Sequence, residues 1–490
     1  MLGMMSEPLY ATPDAGNQAN RRLLLISYHF PPDPSVGARR WEKLAHYVAE
    51  RGWGVDVITR REQPFTSPSD LARLKTLPSG VRIYGVPLPT LALQRVEHAA
   101  WSLLRGRRKT ATKAVPAQGH AKTGGGTNNG TATSLSSPRE KIRWSLHTPR
   151  GYLRAYWAWL DFAQYGEWGT QVERVARAIV HPKVHLAVVS SGPPHMSHDA
   201  GRRVSKRTGL PFVMDMRDPW RNVERLSEGT SSPLWLHMAA RYERRAVEQA
   251  TLVVANTELA RRALQEAYPA RRNDIITAMN GADADPLPPR RRGENGQGKD
   301  RFVIGHAGTI YLDRDPRALF QAAARVVREL ALTPEQFTLE FIGELEAVGG
   351  FPIREVAQQE GIDEYVRTGP PRPHAEAMQF MADATMLVTM SGTNATAIPA
   401  KTFECIRFDS WILALSAPGS ATELLLQGTE ADVAPPGDVE RITDVIRKRY
   451  QQHAAGVAPV RIAADGDDRF SRCGQAKLLF DAITSRVVQS

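Results

Sequence analysis

Short apolar runs that alternate with helical patterns constrain this fold more than any other feature of the chain. Residues 23–27 have the length and composition of a buried strand, and residues 55–58 form a second such run. Between them, apolar residues recur at helical spacing before Gly52 ends the pattern; they are Trp41, Leu44, Ala45 and Val48. This alternation predicts βαβ units on a parallel sheet.

The alternation continues to residue 255 and restarts at residue 302, after a linker. Residues 286–300 are rich in proline, arginine and glycine, which is typical of interdomain linkers. We therefore predict two Rossmann-like doubly wound α/β domains that face each other across a cleft. The N-terminal domain covers residues 21–285, the C-terminal domain covers residues 301–475, and residues 476–490 form a final helix.

Two segments are predicted to be disordered. Residues 110–137 contain only Val115 and Leu135 as large apolar side chains, so they cannot bury enough surface to offset the entropy of ordering them. Residues 1–20 lack the pattern of a secretory signal and are expected to be a mobile tail. We expect residues 110–137 to be an insertion in the N-terminal domain.

Composition excludes several classes of protein. The chain has 490 residues and only two cysteines, Cys405 and Cys473, which rules out a disulfide scaffold and a thiolate zinc site. No apolar run reaches the roughly 18 residues that a membrane span needs. The net charge of +11 suits nucleic acid, an anionic membrane or acidic small substrates. No base-reading module is recognisable, so nucleic-acid binding is disfavoured, and a cytoplasmic location is expected.

The loops after the strands of the first half carry candidate binding residues. Residues 28–40 are rigid at their prolines and then bring Gly37 and Arg39 to a helix start, where a phosphate could approach closely. The same loop could simply close a βα turn. After the strand at 186–189, His195 opens a helix and is either a ligand-facing imidazole or a capping or packing group.

A cluster of charges follows the strand at 211–214. Asp215, Arg217 and Asp218 lie where the carboxyl end of a sheet is expected. They form either a salt-bridged brace or a catalytic rim, and the sequence leaves both readings open.

The second half of the chain also carries candidate binding residues in the loops after its strands. Gly308 and Thr309 follow the strand at 302–305, and Arg314 lies close to the next helix start, so that a backbone and a guanidinium could meet a diphosphate. A solvated arginine surface is the alternative. Lys401 and Glu404 are three residues apart on a helix face, where Glu404 could accept hydrogen bonds from ribose hydroxyls or simply pair with Lys401.

Taken in order, these segments resemble the GT-B glycosyltransferases, in particular the bacterial enzymes of the family 4-like group. The resemblance covers most of the chain from Arg21 onwards, and its strongest segments are residues 28–41, 190–198, 215–220, 306–309 and 399–404. It implies transfer of a sugar, with retention of configuration, from a nucleotide-sugar donor to a polysaccharide or lipid-linked acceptor. The donor would be held mainly by the C-terminal domain and the acceptor by the N-terminal domain.

The resemblance also implies roles for individual residues. The donor-binding residues would be Gly37, Gly308, Thr309, Arg314, Lys401 and Glu404, with Gly37 against the diphosphate and Glu404 on the ribose. The acceptor side would include Arg39 and His195. The catalytic residues would be Arg217, Asp218 and Glu404.

Two positions depart from the family pattern. Thr396 stands where the first of two family glutamates is expected, and Arg217 takes the place of a strand-end histidine. A hydroxyl cannot supply the charge of a carboxylate, so Thr396 favours an alternative in which a catalytically silent GT-B protein binds a nucleotide sugar or a partner. A GT-B nucleotide-sugar epimerase is a further alternative.

No metal site and no cofactor are expected, because a diphosphate can be held by backbone amides and cations. The nucleotide sugar would be a substrate. A basic patch formed by Arg202, Arg203, Lys206 and Arg207 is a predicted contact with anionic lipid at the inner face of the membrane.

Overall fold

The computed structural model describes residues 7–61, 68–95, 148–220, 229–291, 301–310, 314–343, 345, 353–392, 395–463 and 467–487. The chain divides into two compact units. The first comprises Met1–Asn256, Arg261–Thr277 and Leu478–Ser490, and the second comprises Thr257–Ala260 and Ala278–Lys477.

The first unit is built on an eight-stranded sheet. Its strands are β1 (Tyr10–Ala11), β2 (Arg22–Ser27), β3 (Gly54–Arg60), β4 (Val81–Val86), β5 (His185–Gly192), β6 (Phe212–Met216), β7 (Leu252–Ala255) and β8 (Ile275–Thr277). All neighbouring pairs are parallel except β1 with β4. The helices that connect these strands are α1 (Val36–Glu50), α2 (Pro68–Ala72), α3 (Pro149–Ile179), α4 (Met196–Thr208), α5 (Pro233–Gln249) and α6 (Glu258–Ala267).

The second unit is built on a six-stranded parallel sheet. Its strands are β9 (Phe302–Ala307), β10 (Phe337–Ile342), β11 (Val366–Gly369), β12 (Met386–Gly392), β13 (Trp411–Ser416) and β14 (Asp432–Ala434). The helices that follow β9 are α7 (Arg317–Glu329), α8 (Ile353–Gln359), α9 (His374–Asp383), α10 (Ala400–Cys405), α11 (Ala421–Leu426), α12 (Val439–Ala454) and α13 (Arg472–Val487).

Both sheets have the strand order of a dinucleotide-binding fold. The first runs β1-β4-β3-β2-β5-β6-β7-β8 and the second runs β11-β10-β9-β12-β13-β14. If β1 is set aside, each begins in the middle, adds strands to one side and then to the other, as in a doubly wound Rossmann sheet. The prediction of two Rossmann-like α/β domains is confirmed.

The burial of the central strands explains why their apolar runs could be recognised in the sequence. Leu23 to Ile26 of β2 have no exposed surface, because both faces of a parallel sheet are covered by helices. Strands of this kind are continuously apolar, whereas half-exposed strands alternate. In the second unit, Phe302 and Ile304 of β9 join Phe337 and Leu339 of β10 in one buried cluster.

The expectation of a disordered tail over residues 1–20 is wrong for its described part. Residues Tyr10–Ala11 pair with β4, and Asp14 accepts a hydrogen bond at 2.8 Å from the buried Arg22. Arg22 also binds Asp56 at 2.8 Å, and His185 contacts the other oxygen of that carboxylate at 2.9 Å. This network ties the segment before β2 to the amino edge of the sheet.

Other boundaries differ in detail from those expected. The two-unit division falls after Thr277 rather than after residue 285, and the C-terminal helix begins at Arg472 rather than at residue 476. The predicted insertion at 110–137 and residues 292–300 of the predicted linker lie outside the described residues. Of the helices that the structure describes, none is both long and apolar enough to cross a bilayer.

Candidate functional site

Each sheet reverses its strand order between its two central strands. The reversal lies between β2 and β5 in the first unit and between β9 and β12 in the second. At such a point the loops that leave the carboxyl ends of the two strands diverge and open a crevice, which is where open α/β sheets bind ligands. The candidate residues from the sequence follow these strands or their neighbours, so they lie at the carboxyl edge of each sheet.

In the first unit, Arg217 lies at the end of β6, and all three nitrogens of its guanidinium group donate hydrogen bonds. Its Nε donates to the main-chain oxygen of Gly192 at 3.1 Å, and its two Nη atoms donate to the main-chain oxygens of Gly37 and Pro193. Burial lowers the pKa of Arg217, and the negative charges of Asp218 and Asp215 oppose that effect. The side chain joins three loops, so it positions the site rather than contributing a free reactive group.

Of the two readings for the Asp215, Arg217 and Asp218 cluster, the surroundings of Asp215 fit a salt-bridged brace. This carboxylate is 1% exposed and accepts hydrogen bonds from Arg40 Nε at 3.0 Å, Arg40 Nη2 at 2.9 Å and Trp41 Nε1 at 2.8 Å. A buried carboxylate is stable only with such donors. Asp218 is half-buried and thus more exposed than Asp215.

The loop after β2 is held by its own side chains. Asp33 contacts His29 Nδ1 at 2.6 Å and accepts the main-chain N–H of Ser35 at 2.9 Å. Burial opposes ionisation of Asp33, but these hydrogen bonds outweigh it and lower the pKa to about 2. Ser35 occupies the cap position of α1 without a side-chain capping bond, because its hydroxyl contacts His29 Nδ1 at 2.9 Å.

Gly37 follows on the first turn of α1. A Cβ atom there would lie 2.7 Å from Arg217 Nη1 and 3.1 Å from His29 Cδ2, so the absence of a side chain makes room for the brace. Arg39 is exposed two residues later. The two predicted ligand-facing residues of this loop therefore differ in surroundings, since Gly37 meets Arg217 and Arg39 meets solvent.

The turn after β5 brings two histidines together. The rings of His195 and His198 are 5.9 Å apart, and both lie near the buried Trp220, at 5.3 and 5.7 Å. His198 Nδ1 bonds the hydroxyl of Ser190 at 2.8 Å, whereas His198 Nε2 and His195 Nδ1 are buried without a partner among the described residues. Burial lowers the pKa of His198 to about 3 and that of His195 well below its usual value.

In the second unit, Lys401 and Glu404 form an ion pair. Lys401 Nζ and Glu404 Oε2 are 2.5 Å apart, and each side chain is about one-third exposed, at 33% and 31%. Both lie on α10, which leaves the loop after β12. Between them, the buried hydroxyl of Thr402 has no partner in the described part of the chain. A partly exposed cation and a partly exposed carboxylate are therefore available on one short helix, whereas the Thr402 hydroxyl is buried.

His306, at the end of β9, faces the same region. Its Nδ1 is 2.9 Å from the main-chain oxygen of Val388, an acceptor only, so Nδ1 carries the proton. Its buried Nε2 is then an acceptor that no described atom satisfies. Burial, together with the nearby charges of Arg314 and Lys401, lowers the pKa of His306 to about 4, although the hydrogen bond to Val388 opposes this effect.

Gly308 and Gly343 bring two loops into contact beside His306. A Cβ atom on Gly308 would lie 3.5 Å from His306 Nε2 and 3.9 Å from Lys401 Cγ. A Cβ atom on Gly343, whose φ is 136°, would lie only 2.1 Å from the main-chain oxygen of Gly308. Glycine at residue 343 thus permits the approach that sets the position of the Gly308 loop.

The remaining predicted donor residues lie around this loop. Thr309 is exposed, and its main-chain oxygen is 3.5 Å from Arg314 Nη1. The structure therefore brings Gly308, Thr309 and Arg314 together with His306 and Lys401. Thr396, the departure from the family pattern, is half-buried, and its main-chain oxygen accepts a hydrogen bond from Thr257 at 2.7 Å.

Three of these features were not assigned a role from the sequence. His306 is a titratable residue at the end of an otherwise apolar run, which was the available signal for it, whereas His198 lies among polar residues and has no comparable signal. Gly343 follows a buried strand just as Gly308 does. Within the described residues, no group of three or more His, Cys, Asp or Glu side chains is arranged to hold a metal ion.

Comparison with known proteins gives relatives of one kind. No protein family model matches the chain. The chain is 25% identical over 214 residues to a D-inositol 3-phosphate glycosyltransferase of Thermobifida fusca, covering 42% of this chain and 49% of the relative. It is 26% identical over 266 residues to D-inositol 3-phosphate glycosyltransferase 1 of Catenulispora acidiphila, covering 51% and 61%. The chain thus spans about half the length of the curated relatives it matches.

Solved structures resemble the whole chain. Anabaena HepE in complex with UDP covers 95% of this chain and 100% of its own, with a TM-score of 0.57 and 14% identity. Sucrose-phosphate synthase from Thermosynechococcus elongatus covers 96% and 100%, with a TM-score of 0.60 and 13% identity. At such identities the likeness establishes the fold. The chain has the two-domain GT-B fold, and the predicted resemblance to GT-B glycosyltransferases is confirmed; the family 4-like assignment stays a prediction.

Proposed function

We propose that this GT-B protein is a glycosyltransferase that moves a sugar from a nucleotide-sugar donor to an acceptor. One observation carries the proposal: Lys401, Glu404 and the unpartnered Nε2 of His306 converge around Gly308 at the carboxyl edge of the second sheet. Both curated relatives are glycosyltransferases, and the HepE structures contain UDP or UDP-glucose, which supports the same assignment.

Each donor group has a chemical counterpart in this set. Glu404 can accept hydrogen bonds from the two ribose hydroxyls once Lys401 turns towards the diphosphate. Lys401 and Arg314 supply positive charge for the leaving nucleoside diphosphate. His306 Nε2 can accept only, so it would meet a hydroxyl of the donor sugar or an N–H. Because these groups neutralise the diphosphate, we propose that no metal ion is needed.

The first unit would hold the acceptor. We assign to the acceptor side the exposed Arg39, the half-buried Asp218, and His195, whose unpartnered nitrogen is buried. Arg217 holds the loops that present them. We propose a polysaccharide or lipid-linked acceptor and transfer with retention of configuration, as the sequence resemblance implies.

A thermal-shift titration with UDP-, GDP-, ADP- and TDP-sugars tests the donor site. A ligand that binds only the folded state raises the unfolding temperature by mass action. We expect one class of nucleotide sugar to stabilise the protein and Glu404→Gln to abolish that shift. The matched control is Glu440→Gln, which also removes a carboxylate from an ion pair of the second unit, with Arg325, and should keep the shift. No shift with any donor contradicts the proposal.

A catalytically silent nucleotide-sugar-binding protein is the second candidate. Two observations favour it. Thr396 stands in place of a carboxylate, and all three guanidinium nitrogens of Arg217 already donate to main-chain oxygens. Mass spectrometry of the donor after incubation separates the candidates. Nucleoside diphosphate released slowly with water as acceptor, or faster with an added glycan, supports transfer, whereas a bound and unchanged donor supports the silent protein. A changed sugar still attached to its nucleotide would identify an epimerase.

A further inference from the structure

Exposed apolar side chains are concentrated at the start of α3. Eleven large apolar side chains are exposed among the described residues, and four of them fall within eight consecutive positions. These are Tyr152 (66% exposed), Leu153 (55%), Trp157 (42%) and Trp159 (45%). Single exposed apolar residues are ordinary, but a cluster of large aromatic ones on one element marks an interaction surface.

The helix itself is well anchored, so these side chains are presented on a rigid support. Thr148 caps α3 by accepting the N–H of Gly151 at 3.1 Å. On the inner face, Ala158 and Phe162 are buried, and the ring of Phe162 stacks on that of Tyr242 at 5.6 Å. We call the outward-facing set Tyr152, Leu153, Trp157 and Trp159 the aromatic surface of α3.

Positive charge borders the aromatic surface. Arg150 is exposed in the first turn, and Arg154 follows one turn later and one turn before Trp157. The first carboxylate of the helix is Asp161, beyond the aromatic surface. Tryptophan and tyrosine next to arginine are the side chains that favour the boundary between lipid headgroups and acyl chains, since each ring combines an apolar body with a polar atom.

The basic patch expected on α4 does not provide such a surface. Arg202 pairs with Asp199 at 2.8 Å, Arg203 pairs with the same carboxylate at 3.2 Å, and Arg207 pairs with Glu173. Two buried carboxylates, Asp199 and Glu173, therefore offset half of the formal charge of the four basic residues in this patch. Among the described residues, no exposed large apolar side chain lies on α4, so we place the interface at the start of α3; a lipid contact by the patch on α4 stays a prediction.

We propose that the aromatic surface of α3 binds the surface of an anionic phospholipid bilayer. Arg150 and Arg154 attract the headgroups, and the indole and phenol rings enter the interface beside them. A second copy of this chain is the alternative occupant, and the sedimentation experiment below distinguishes it from a bilayer. The proposal stands apart from donor binding, although it would bring the enzyme to a lipid-linked acceptor.

Flotation of the full-length protein with vesicles tests the proposal. Vesicles of phosphatidylcholine alone are compared with vesicles that also contain phosphatidylglycerol. We expect binding to the anionic vesicles only, weakened by salt. Trp157→Ser with Trp159→Ser should reduce the binding constant by about tenfold or more, and Arg150→Glu by about fivefold or more.

Matched controls isolate the surface. Arg174→Glu reverses an exposed charge on the far half of the same helix, and Val457→Ser with Val460→Ser removes exposed apolar side chains of the second unit. Both should change binding by less than about twofold. Urea unfolding checks that each variant folds, and Tyr152→Ser, at the most exposed position, replaces the double variant if that one does not.

Three outcomes overturn the proposal: no binding to anionic vesicles, equal effects of the controls, or a dimer in sedimentation experiments that the tryptophan substitutions dissociate. Nucleotide-sugar thermal shifts on the same variants should be unchanged. A loss of vesicle binding with intact donor binding is therefore distinguishable from a failure of the proposed enzyme function.

Discussion

Arg217 donates a hydrogen bond from Nη1 to the main-chain oxygen of Gly37, which joins the end of β6 to the first turn of α1. The two residues are 180 positions apart, and the same guanidinium also binds the loop after β5. Three loops at the carboxyl edge of the first sheet thus share one side chain. This relationship explains why Gly37 must lack a side chain.

Arg217→Ala should lower the free energy of unfolding by about 2 to 4 kcal/mol, because three main-chain oxygens lose a charged donor in a buried place. Arg217→Lys keeps the charge but cannot reach all three oxygens, so its loss should be smaller. Urea denaturation measures both. Arg39→Ala, an exposed arginine close in sequence, should stay within about 0.5 kcal/mol of the wild type. Unchanged stability in Arg217→Ala would contradict the brace.

Gly343→Ala should weaken nucleotide-sugar binding by about tenfold or more, because its Cβ atom would displace the main-chain oxygen of Gly308. Gly361→Ala is the matched control. Its φ of 66° is also positive, but nothing lies within 4 Å of the new Cβ atom. The control should therefore lose about 1 kcal/mol of stability and keep its affinity. Calorimetric titration with the donor found in the thermal-shift screen compares the two.

Acid should destabilise the fold through its buried histidines. The pKa values of His306 and His198 are about 4 and about 3, whereas both residues titrate near 6.5 when unfolded. As the pH falls below 6.5, the unfolded chain binds protons that the folded chain does not. The unfolding free energy should fall by about 1.4 kcal/mol per pH unit for each histidine, down to pH 4 for His306 and pH 3 for His198.

Urea unfolding at a series of pH values measures this slope, and His306→Gln should reduce it by the share of one proton. An identical slope in the variant would show that His306 is protonated when folded. Asp33 acts in a lower range: the stability that its lowered pKa of about 2 provides is complete above its usual value of 3.8 and is lost as the pH falls from there towards 2.

Donor binding should survive removal of divalent ions. Lys401 and Arg314 provide the positive charge that a diphosphate requires, so the thermal shift caused by the nucleotide sugar should be equal in EDTA and in magnesium or manganese. A shift that disappears in EDTA and returns with one metal would show that the site needs an ion that these cations do not replace.

The fold was accessible from the sequence because buried parallel strands leave a continuous apolar signature. The runs around Leu25 and Ile304 predicted buried strands, and the structure places both strands at the centre of their sheets. Gly308, Arg314 and Lys401 come after neighbouring strands of the second sheet, which is why they were expected to lie close together. What could be predicted here was which sheet edge each residue occupies.

The roles within the first unit were harder to predict. Arg217 binds three main-chain oxygens, and such partners leave no mark in a sequence, since every residue has one. Asp215 meets Arg40 from 175 positions away, so a local pattern of Asp and Arg could not decide between a brace and a catalytic rim. The ordering of residues 10–14 was missed because it depends on an edge strand of two residues and one buried arginine.

The C-terminal helix α13 has a consequence for biosynthesis. Phe480 lies 6.4 Å from the ring of Trp41 and 6.5 Å from that of Trp53, and Asp481 pairs with Arg51 at 2.6 Å, all within the first unit. A ribosome therefore makes this packing segment of the first unit only after residues 278–477 of the second unit. The first unit cannot make these contacts until the second unit has been synthesised, so truncation of the chain before Phe480 should damage the unit that comes first in the sequence.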